Sequence, residues 1–251
     1  RLFARRNFLF ATIAIAIAYG LFFGNLVLLP LWLQQWMGYT ATLAGWALAP
    51  IGVLAIVFTP VVGRYINRVD LRPVVTASFL IFAFSMYLRS FFTTDADLAT
   101  IMIPTLIQGV AMACFFIPLM AIALSGLSPE RIASASGLTN FARICAGSFG
   151  TSIATTMWDH RASLHHSQLV EHLEHGSLPT DHFLDSASRA GLTPEQSLTL
   201  LNHGVDTQSF TLAAADIFYL SALLFVVLIG VVWMTRPSPG GLAAGAEGGA
   251  H

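Results

Sequence analysis

The sequence predicts an all-α membrane protein with six transmembrane helices, and three observations lead to this fold class. Hydrophobic residues make up 55% of the 251 residues, whereas Asp, Glu, Lys and Arg together contribute only 10%. Soluble domains carry about 25% charged residues, so this chain lacks the charge to cover a soluble surface. Several apolar runs reach about 20 residues, the length a helix needs to cross the hydrocarbon core. These runs lack the strict alternation of a transmembrane β-barrel, and helices are therefore expected.

Charge and cysteine content exclude several other classes of protein. All twelve basic residues are arginine, and a net charge of −1 offers no positive surface for nucleic acid. Cys114 and Cys145 both lie in apolar runs, which does not indicate a disulfide framework. The first residue is Arg, and no signal peptide precedes the first apolar run. We therefore expect the chain to be a fragment that begins inside a longer protein.

Six apolar segments have the length of a membrane span, with boundaries accurate to a few residues. They cover residues 8–35, 43–66, 73–91, 99–124, 133–157 and 212–235. The predicted organisation follows from them. It comprises five transmembrane helices in 1–157, an outer loop with short helices in 158–211, a sixth transmembrane helix in 212–236 and a disordered Gly-rich tail in 237–251.

The distribution of arginine predicts the orientation in the membrane. Short cytoplasmic connections are enriched in Lys and Arg. With the N-terminus in the cytoplasm, eight arginines fall on the cytoplasmic side, whereas Arg89, Arg161 and Arg189 fall outside. The sequence therefore predicts that both ends are cytoplasmic.

The segment 158–210 is polar, unlike the rest of the chain. It holds seven of the eight histidines and seven acidic residues against two arginines. Thr193, Pro194 and Gln196 form a pattern typical of a helix start. His172 and His175 are three residues apart, but no cysteine joins them and no established ligand spacing appears. We interpret the segment as a solvated, pH-responsive outer surface and expect no metal site.

A charge cluster follows the second span, in the segment from Gly63 to Arg72. Arg68 and Asp70 could pair with each other or with helix ends. One interpretation is simple positive-inside anchoring. The other is a conformational latch whose charged pairs form in one state of a transporter and break in another.

This segment resembles the signature Gly-x-x-x-Asp-Arg-x-Gly-Arg-Arg/Lys of the major facilitator superfamily, in the weaker copy of the second half of those transporters. Gly63, Arg68 and Arg72 match the signature. Asn67 stands in place of its Asp and Asp70 in place of its second Gly. The resemblance implies that these five residues form the cytoplasmic latch motif.

Spans four and five carry a more specific resemblance. The segments are IQG at 107–109, ACFFIPL at 113–119, LSGLSPER at 124–131, SGLTNFAR at 136–143, AGSFGTS at 146–152 and TTMW at 155–158. Together they resemble the EmrB-type multidrug exporters, fourteen-span drug:proton antiporters of the major facilitator superfamily. The resemblance runs from Leu2 to the Gly-rich tail.

This resemblance implies that the chain is the six-helix C-terminal bundle of a major facilitator fold, with a long periplasmic loop. It further implies efflux of hydrophobic drugs across the bacterial inner membrane, driven by the proton gradient. The implied partners are the N-terminal half of the same transporter, a periplasmic adaptor and an outer-membrane channel. No cofactor is implied.

Arg143 is the main candidate for the substrate path. It lies about ten residues into span five, roughly 15 Å deep and close to the midplane of the bilayer. A cation at that depth is costly and should face a cavity or a partner. Asn140 and Thr151 share its helix face and could line the same cavity. The alternative is a structural hydrogen bond between helices.

Three further residues are weaker candidates for the substrate path. Gln108 in span four could hydrogen-bond a drug or join helices, and Asn25 in span one is a similar case. Phe115 is a candidate wall residue, because an apolar wall with few polar anchors suits varied hydrophobic drugs. The repeat of Ala142, Ala146, Gly150 and Ala154 instead predicts close helix packing.

No catalytic constellation and no phosphate-binding loop appears, so the sequence does not predict an enzyme. Proton coupling needs an ionisable carboxylate or histidine within the membrane. None of the thirteen acids lies deep in a span, and Asp216 comes closest. We expect the proton carrier in the N-terminal half. The alternative function is a non-transporting six-span scaffold or receptor that binds partners through the outer loop.

Overall fold

A computed structural model describes residues 2–65, 70–171, 173 and 178–237, and these residues form eight helices. In chain order they are α1 (Arg6–Gln35), α2 (Ala41–Tyr65), α3 (Leu71–Arg89), α4 (Leu98–Ala113), α5 (Phe116–Leu124), α6 (Pro129–Glu171), α7 (Leu178–Arg189) and α8 (Pro194–Trp233). The all-helical architecture predicted from the sequence is confirmed for the described residues.

Five stretches of helix in the described residues are long and apolar enough to cross a membrane. They are α1, α2, α3, the α4–α5 segment and α8. The predicted fifth span, 133–157, lies inside α6, whose many Ser, Thr, Asn and charged residues make it too polar to meet the same criterion. The chain is a multi-pass helical membrane protein, and the exact number of six spans stays a prediction.

Span four is interrupted between α4 and α5. Cys114 ends the first helix, and Phe115 precedes the second with φ −98° and ψ −64°. The break lies four residues before Pro118, which has no backbone N–H to donate to the carbonyl of Cys114. The proline therefore explains why one predicted span is built from two helices.

The segment predicted as an outer loop consists largely of continued helix. α6 is 43 residues long and α8 is 40 residues long, so the predicted boundaries at 157 and 211 lie within helices. Each helix is about 60 Å long, twice the thickness of a hydrocarbon core. We call residues 158–171 of α6, α7 and residues 194–211 of α8 the α6–α8 extension. Thr193 begins α8 with the predicted capping box, because its side chain accepts from Gln196 N and Gln196 bonds back to Thr193 N.

Helix α1 lies at the centre of the bundle and packs against α5, α6 and α8. Its crossing with α6 is close because small residues meet there. A β-carbon at Gly150 would overlap the Gly20 carbonyl, and one at Gly24 would lie 2.9 Å from Ala154 Cβ. The close packing predicted from the four-residue repeat is confirmed at Gly150 and Ala154.

The helix ends near the N-terminus are tied together by side chains of the first turn. Arg5 Nη1 donates to Gly126 O at 2.8 Å, and Arg6 Nε donates to Met234 O at 2.7 Å. Asn7 Nδ2 donates to Ser125 Oγ at 3.0 Å, and Asn7 Oδ1 accepts from Arg236 N at 2.7 Å. These contacts hold the start of α1 and the ends of α5 and α8 together at one end of the bundle.

Candidate functional site

Arg143 stands between two aromatic rings at the crossing of α6 with α1. Its guanidinium carbon lies 4.9 Å from the ring centre of Tyr19 and 4.8 Å from that of Phe116. Its Nη1 donates to the Tyr19 hydroxyl at 3.2 Å. Aromatic faces stabilise a desolvated cation without neutralising it. Among the described residues, no acidic side chain forms a salt bridge with Arg143.

A cavity of about 300 Å³ adjoins this cation. Its walls come from α1 and α6 alone, namely Phe23, Arg143, Ile144, Gly147, Ser148 and Thr151. Gly147 keeps this space open, because a β-carbon there would come within 3.2 Å of the Phe23 ring. The structure therefore brings Arg143 and Thr151 together at one cavity, as their spacing on the helix predicts.

Asn140 precedes Arg143 by one helical turn and is half-buried. It does not belong to the residues that line the cavity. Its role in the substrate path stays a prediction.

A second and larger groove lies on the other side of the α1–α6 crossing. It has a volume of about 430 Å³ and is lined by residues of α1, α6 and α8. Its walls include Gly20, Gly24, Gly150 and Met157, and they are almost entirely apolar. The crossing at Gly20 and Gly150 therefore separates an apolar groove from the cavity that holds the cation.

Asn25 lines this second groove rather than the Arg143 cavity. Its Nδ2 donates to Leu21 O at 2.7 Å and to Ser221 Oγ at 2.9 Å. The residue is 1% exposed, and its hydrogen bond to Ser221 joins α1 to α8, whereas the bond to Leu21 lies within α1. The described contacts of Asn25 are therefore those of a helix-joining amide.

Gln108 is fully buried and accepts a short hydrogen bond from Arg89 Nη2. Arg89 also donates to Thr105 Oγ1 at 3.4 Å, and its guanidinium carbon lies 5.8 Å from the ring centre of Phe218. The sequence leaves open whether Gln108 binds a drug or joins helices. The described contacts of Gln108 are those of a residue that joins helices. The sequence predicts Arg89 only as a charge on the outer side, because it lies at the end of a span. In the structure Arg89 is 1% exposed, which its position in the sequence does not reveal.

Phe115 is also fully buried and does not line the cavity. Its ring centre lies 5.1 Å from that of Tyr19 and 5.7 Å from that of Phe82. The neighbouring Phe116 contacts Arg143 instead. Since α5 begins at Phe116, the helix break decides which of the two phenylalanines reaches the site.

The latch motif is described only in part, because Asn67 and Arg68 lie outside the described residues. Gly63 belongs to the last turn of α2 and is exposed. Asp70 is the N-cap of α3, and its Oδ1 accepts from Arg72 N at 3.2 Å. Arg72 is 8% exposed. The described contact is a helix cap, and the latch stays a prediction.

No group of three or more potential metal ligands occurs within the described residues. His172 and His175 lie outside them. Of the described histidines of the α6–α8 extension, His165 and His166 contact acids and His203 contacts an aromatic ring, as described below.

A multi-pass helical bundle with a half-buried cation beside a cavity between two of its helices is typical of membrane transporters. Residues 1–153 match the family model described as Major Facilitator Superfamily, and the chain belongs to this superfamily. Members of the superfamily are transporters rather than enzymes.

Characterised relatives resemble the whole chain. It is 43% identical over 251 residues to the multidrug export protein EmrB of Escherichia coli strain K12, covering 100% of this chain and 49% of the relative. It is 39% identical over 236 residues to the fatty acid resistance protein FarB of Neisseria gonorrhoeae, covering 94% of this chain and 46% of the relative. The EmrB protein of Haemophilus influenzae is 40% identical over 237 residues, with 94% and 46% covered. The chain thus spans about half the length of these relatives.

Proposed function

We propose that the chain forms one half of a proton-driven exporter of hydrophobic drugs in the bacterial inner membrane, namely the C-terminal half. The site supports this function through one observation in particular. A half-buried cation, stacked between Tyr19 and Phe116 and without an acidic partner in the described residues, borders a surface cavity between α1 and α6, whose wall residues Phe23 and Ile144 are exposed. A protein that only held its helices together would not need an uncompensated charge at this position.

The chemistry of the cavity defines what it would bind. Phe23 and Ile144 offer apolar surface, and burial of apolar surface is non-directional, so it tolerates varied shapes. Arg143 offers N–H donors for an acceptor or negative group on the drug, and Thr151 a hydroxyl. The names of the relatives refer to multidrug export and to fatty acid resistance, and both agree with apolar substrates that carry a polar group.

The second half of the cavity would come from the rest of the transporter. In such folds the substrate lies near the midplane between two bundles that rock about the site. The predicted periplasmic orientation of the α6–α8 extension would present it to an adaptor and, through the adaptor, to an outer-membrane channel.

Replacing Arg143 tests this proposal in the complete transporter. We expect Arg143→Ala to reduce drug efflux at least tenfold, because a lost charge-assisted contact is worth about 1.5–3 kcal/mol. Efflux is measured as dye or drug retention in cells and divided by the amount of protein in the membrane. Arg143→Lys keeps the charge but loses the planar stacking, and it should recover only part of the activity.

Arg131→Ala is the matched control, because Arg131 lies on the same helix and is exposed. It should leave efflux per molecule unchanged. If Arg143→Ala lowered membrane abundance and efflux in the same proportion, the residue would be structural and the proposed site would be wrong.

The alternative, a non-transporting scaffold, predicts a different behaviour of the same helix face. Single cysteines placed from residue 140 to residue 151 would be labelled with a water-soluble maleimide, with and without drug. A transporter should show labelling that drug changes, whereas a scaffold should show a closed and unresponsive face.

A further inference from the structure

Two acidic side chains of α8 each meet a histidine of α6 within or beside the α6–α8 extension. His165 Nε2 donates to Asp216 Oδ2 at 2.9 Å. His166 Nε2 lies 3.3 Å from Asp206 Oδ1. The histidines are neighbours in sequence, whereas the acids are separated by about three helical turns. The two pairs therefore connect α6 and α8 over a long stretch of their contact.

A third charge joins the first pair. Arg161 Nη1 lies 3.4 Å from the same oxygen of Asp216 that His165 contacts. The side chain of His165 is 18% exposed and that of Asp216 is 40% exposed. The pair is therefore protected enough to be ordered and open enough to exchange protons with the surrounding water.

Aromatic contacts lie between the two pairs. Trp158 Nε1 donates to Phe210 O at 2.9 Å, and the ring of Trp36 stacks on that of Phe210 with centres 4.1 Å apart. Phe210 also lines a cavity of about 290 Å³ together with His166 and Asp206. Aromatic packing at Phe210 thus adjoins the His166–Asp206 pair in the contact of α6 with α8.

Among the described residues, no ion pair joins Asp206 or Asp216 to any element packed against α8 other than α6. Arg89 of α3 lies against Phe218. Helix α7 packs beside Ser197 and Leu198, in the first turns of α8. His203, on α8 itself, stacks on Trp36 of α1 with ring centres 6.2 Å apart. The charges that meet Asp206 and Asp216 in the described structure come from α6.

We propose that these two pairs form a proton-operated clasp, which closes α6 onto α8 when the solution around the extension becomes acidic. The proton is the ligand. An imidazole that binds it becomes a cation, and its hydrogen bond to the carboxylate becomes an ion pair and is stronger. Protonation of histidine side chains is a common way in which acidity changes the contact between two protein surfaces.

The clasp would act on the helix that carries the candidate site. α6 contains Arg143 and Thr151, and it is continuous from Pro129 to Glu171. A continuous helix transmits a displacement of one end to the other, so holding its extension against α8 restricts the wall of the cavity. An effect of this restriction on export rests on the proposed function. The pH-dependent contact of α6 with α8 does not depend on it.

The test measures the separation of the two helices at two pH values in the full chain in nanodiscs. Cys114 and Cys145 are replaced by alanine, and spin labels are attached at Ser167→Cys on α6 and Leu200→Cys on α8. The double electron–electron resonance distance distribution is recorded at pH 7.5 and 5.5. We expect the fraction of long distances to fall about two- to fivefold at the lower pH, the effect of one or two partly exposed pairs.

The double variant His165→Gln, His166→Gln should abolish this pH response, while His203→Gln, which removes a histidine without a carboxylate contact, should retain it. Asp206→Asn with Asp216→Asn provides an independent variant of similar shape and should also abolish the response. A distribution that is insensitive to pH in the unmodified pairs would overturn the proposal, as would a response that survives in either double variant. Efflux is not part of the readout, so failure of the clasp and failure of the proposed function are distinguishable.

Discussion

At the scale of single residues, Gly150 is the position where the structure leaves least freedom. Its α-carbon faces the backbone of Gly20, and an added β-carbon would overlap the Gly20 carbonyl. Backbone, unlike a flexible side chain, cannot move aside at small cost. The α1–α6 crossing, and with it the division between the two cavities, depends on this glycine pair.

We expect Gly150→Ala to destabilise the bundle by about 3 kcal/mol, because an overpacked contact forces the two helices apart. Gly137→Ala in the same helix is the matched control, since a β-carbon there meets no atom within 4 Å. That control should be neutral or slightly stabilising, as alanine favours helix over glycine by about 1 kcal/mol. Thermal unfolding in detergent measures both. Equal melting temperatures for the two variants would contradict the close crossing.

Two arginines show what residue type and position can and cannot predict. Arg143 could be identified from the sequence, because a cation in the middle of a segment predicted to span the membrane needs an explanation whatever the fold. Arg89 could not, because an arginine at the end of a span usually reaches the aqueous interface. Its burial against Thr105, Gln108 and Phe218 depends on how α3, α4 and α8 pack together.

At the scale of helices, the length of α6 and α8 was the least predictable feature. Apolar composition marks the stretch of a helix that can lie in lipid, but it does not mark where the helix ends. Polar residues after 157 and before 212 indicated a loop. In the structure the helical backbone hydrogen bonds of α6 and α8 continue through these residues. The extended parts of α6 and α8 stabilise each other through Trp158, Phe210 and the histidine pairs. The start of α8 was predictable, because capping is a local interaction.

We expect Thr193→Ala to destabilise the first turns of α8 by about 1 kcal/mol, because it removes the acceptor for Gln196 N and breaks the capping box. Hydrogen exchange of the amides in residues 194–200 measures the effect as faster opening. Thr199→Ala is the control, since Thr199 is exposed and bonds only to Glu195 O in its own helix. Faster exchange in the control but not in Thr193→Ala would show that the cap contributes nothing.

At the scale of the whole molecule, the α6–α8 extension continues two helices beyond the predicted membrane spans. Because connections between packed helices usually take 2–8 residues, an extension of this size suggests a function. We expect replacement of residues 164–203 by a short Gly/Ser linker to leave drug binding intact but to reduce crosslinking to the periplasmic adaptor. Photocrosslinking in cells measures the second effect and equilibrium drug binding the first. Unchanged crosslinking would place the docking surface elsewhere.

The distribution of charge in the bundle predicts that this chain cannot couple transport to protons without the rest of the transporter. In the described structure, Asp216 lies beside the extension, paired with Arg161 and His165, rather than at the Arg143 cavity. Guanidinium stays protonated at physiological pH, so Arg143 cannot carry the proton. Vesicles that contain only this chain, under an imposed pH gradient, should accumulate no drug. Accumulation that collapses with the gradient would contradict this expectation and implicate Asp216.

The sequence by itself determined the class of the protein, its membrane-spanning helices and the cation of its candidate site. Each of these follows from the cost of placing charge or unpaired backbone in hydrocarbon, and that cost depends on composition and local periodicity. Only the tertiary structure decided that Phe116 rather than Phe115 contacts Arg143, that Arg89 donates to Gln108, and that two histidines of α6 contact aspartates of α8. These pairings join residues far apart in the chain, and they depend on the angle and register of packed helices.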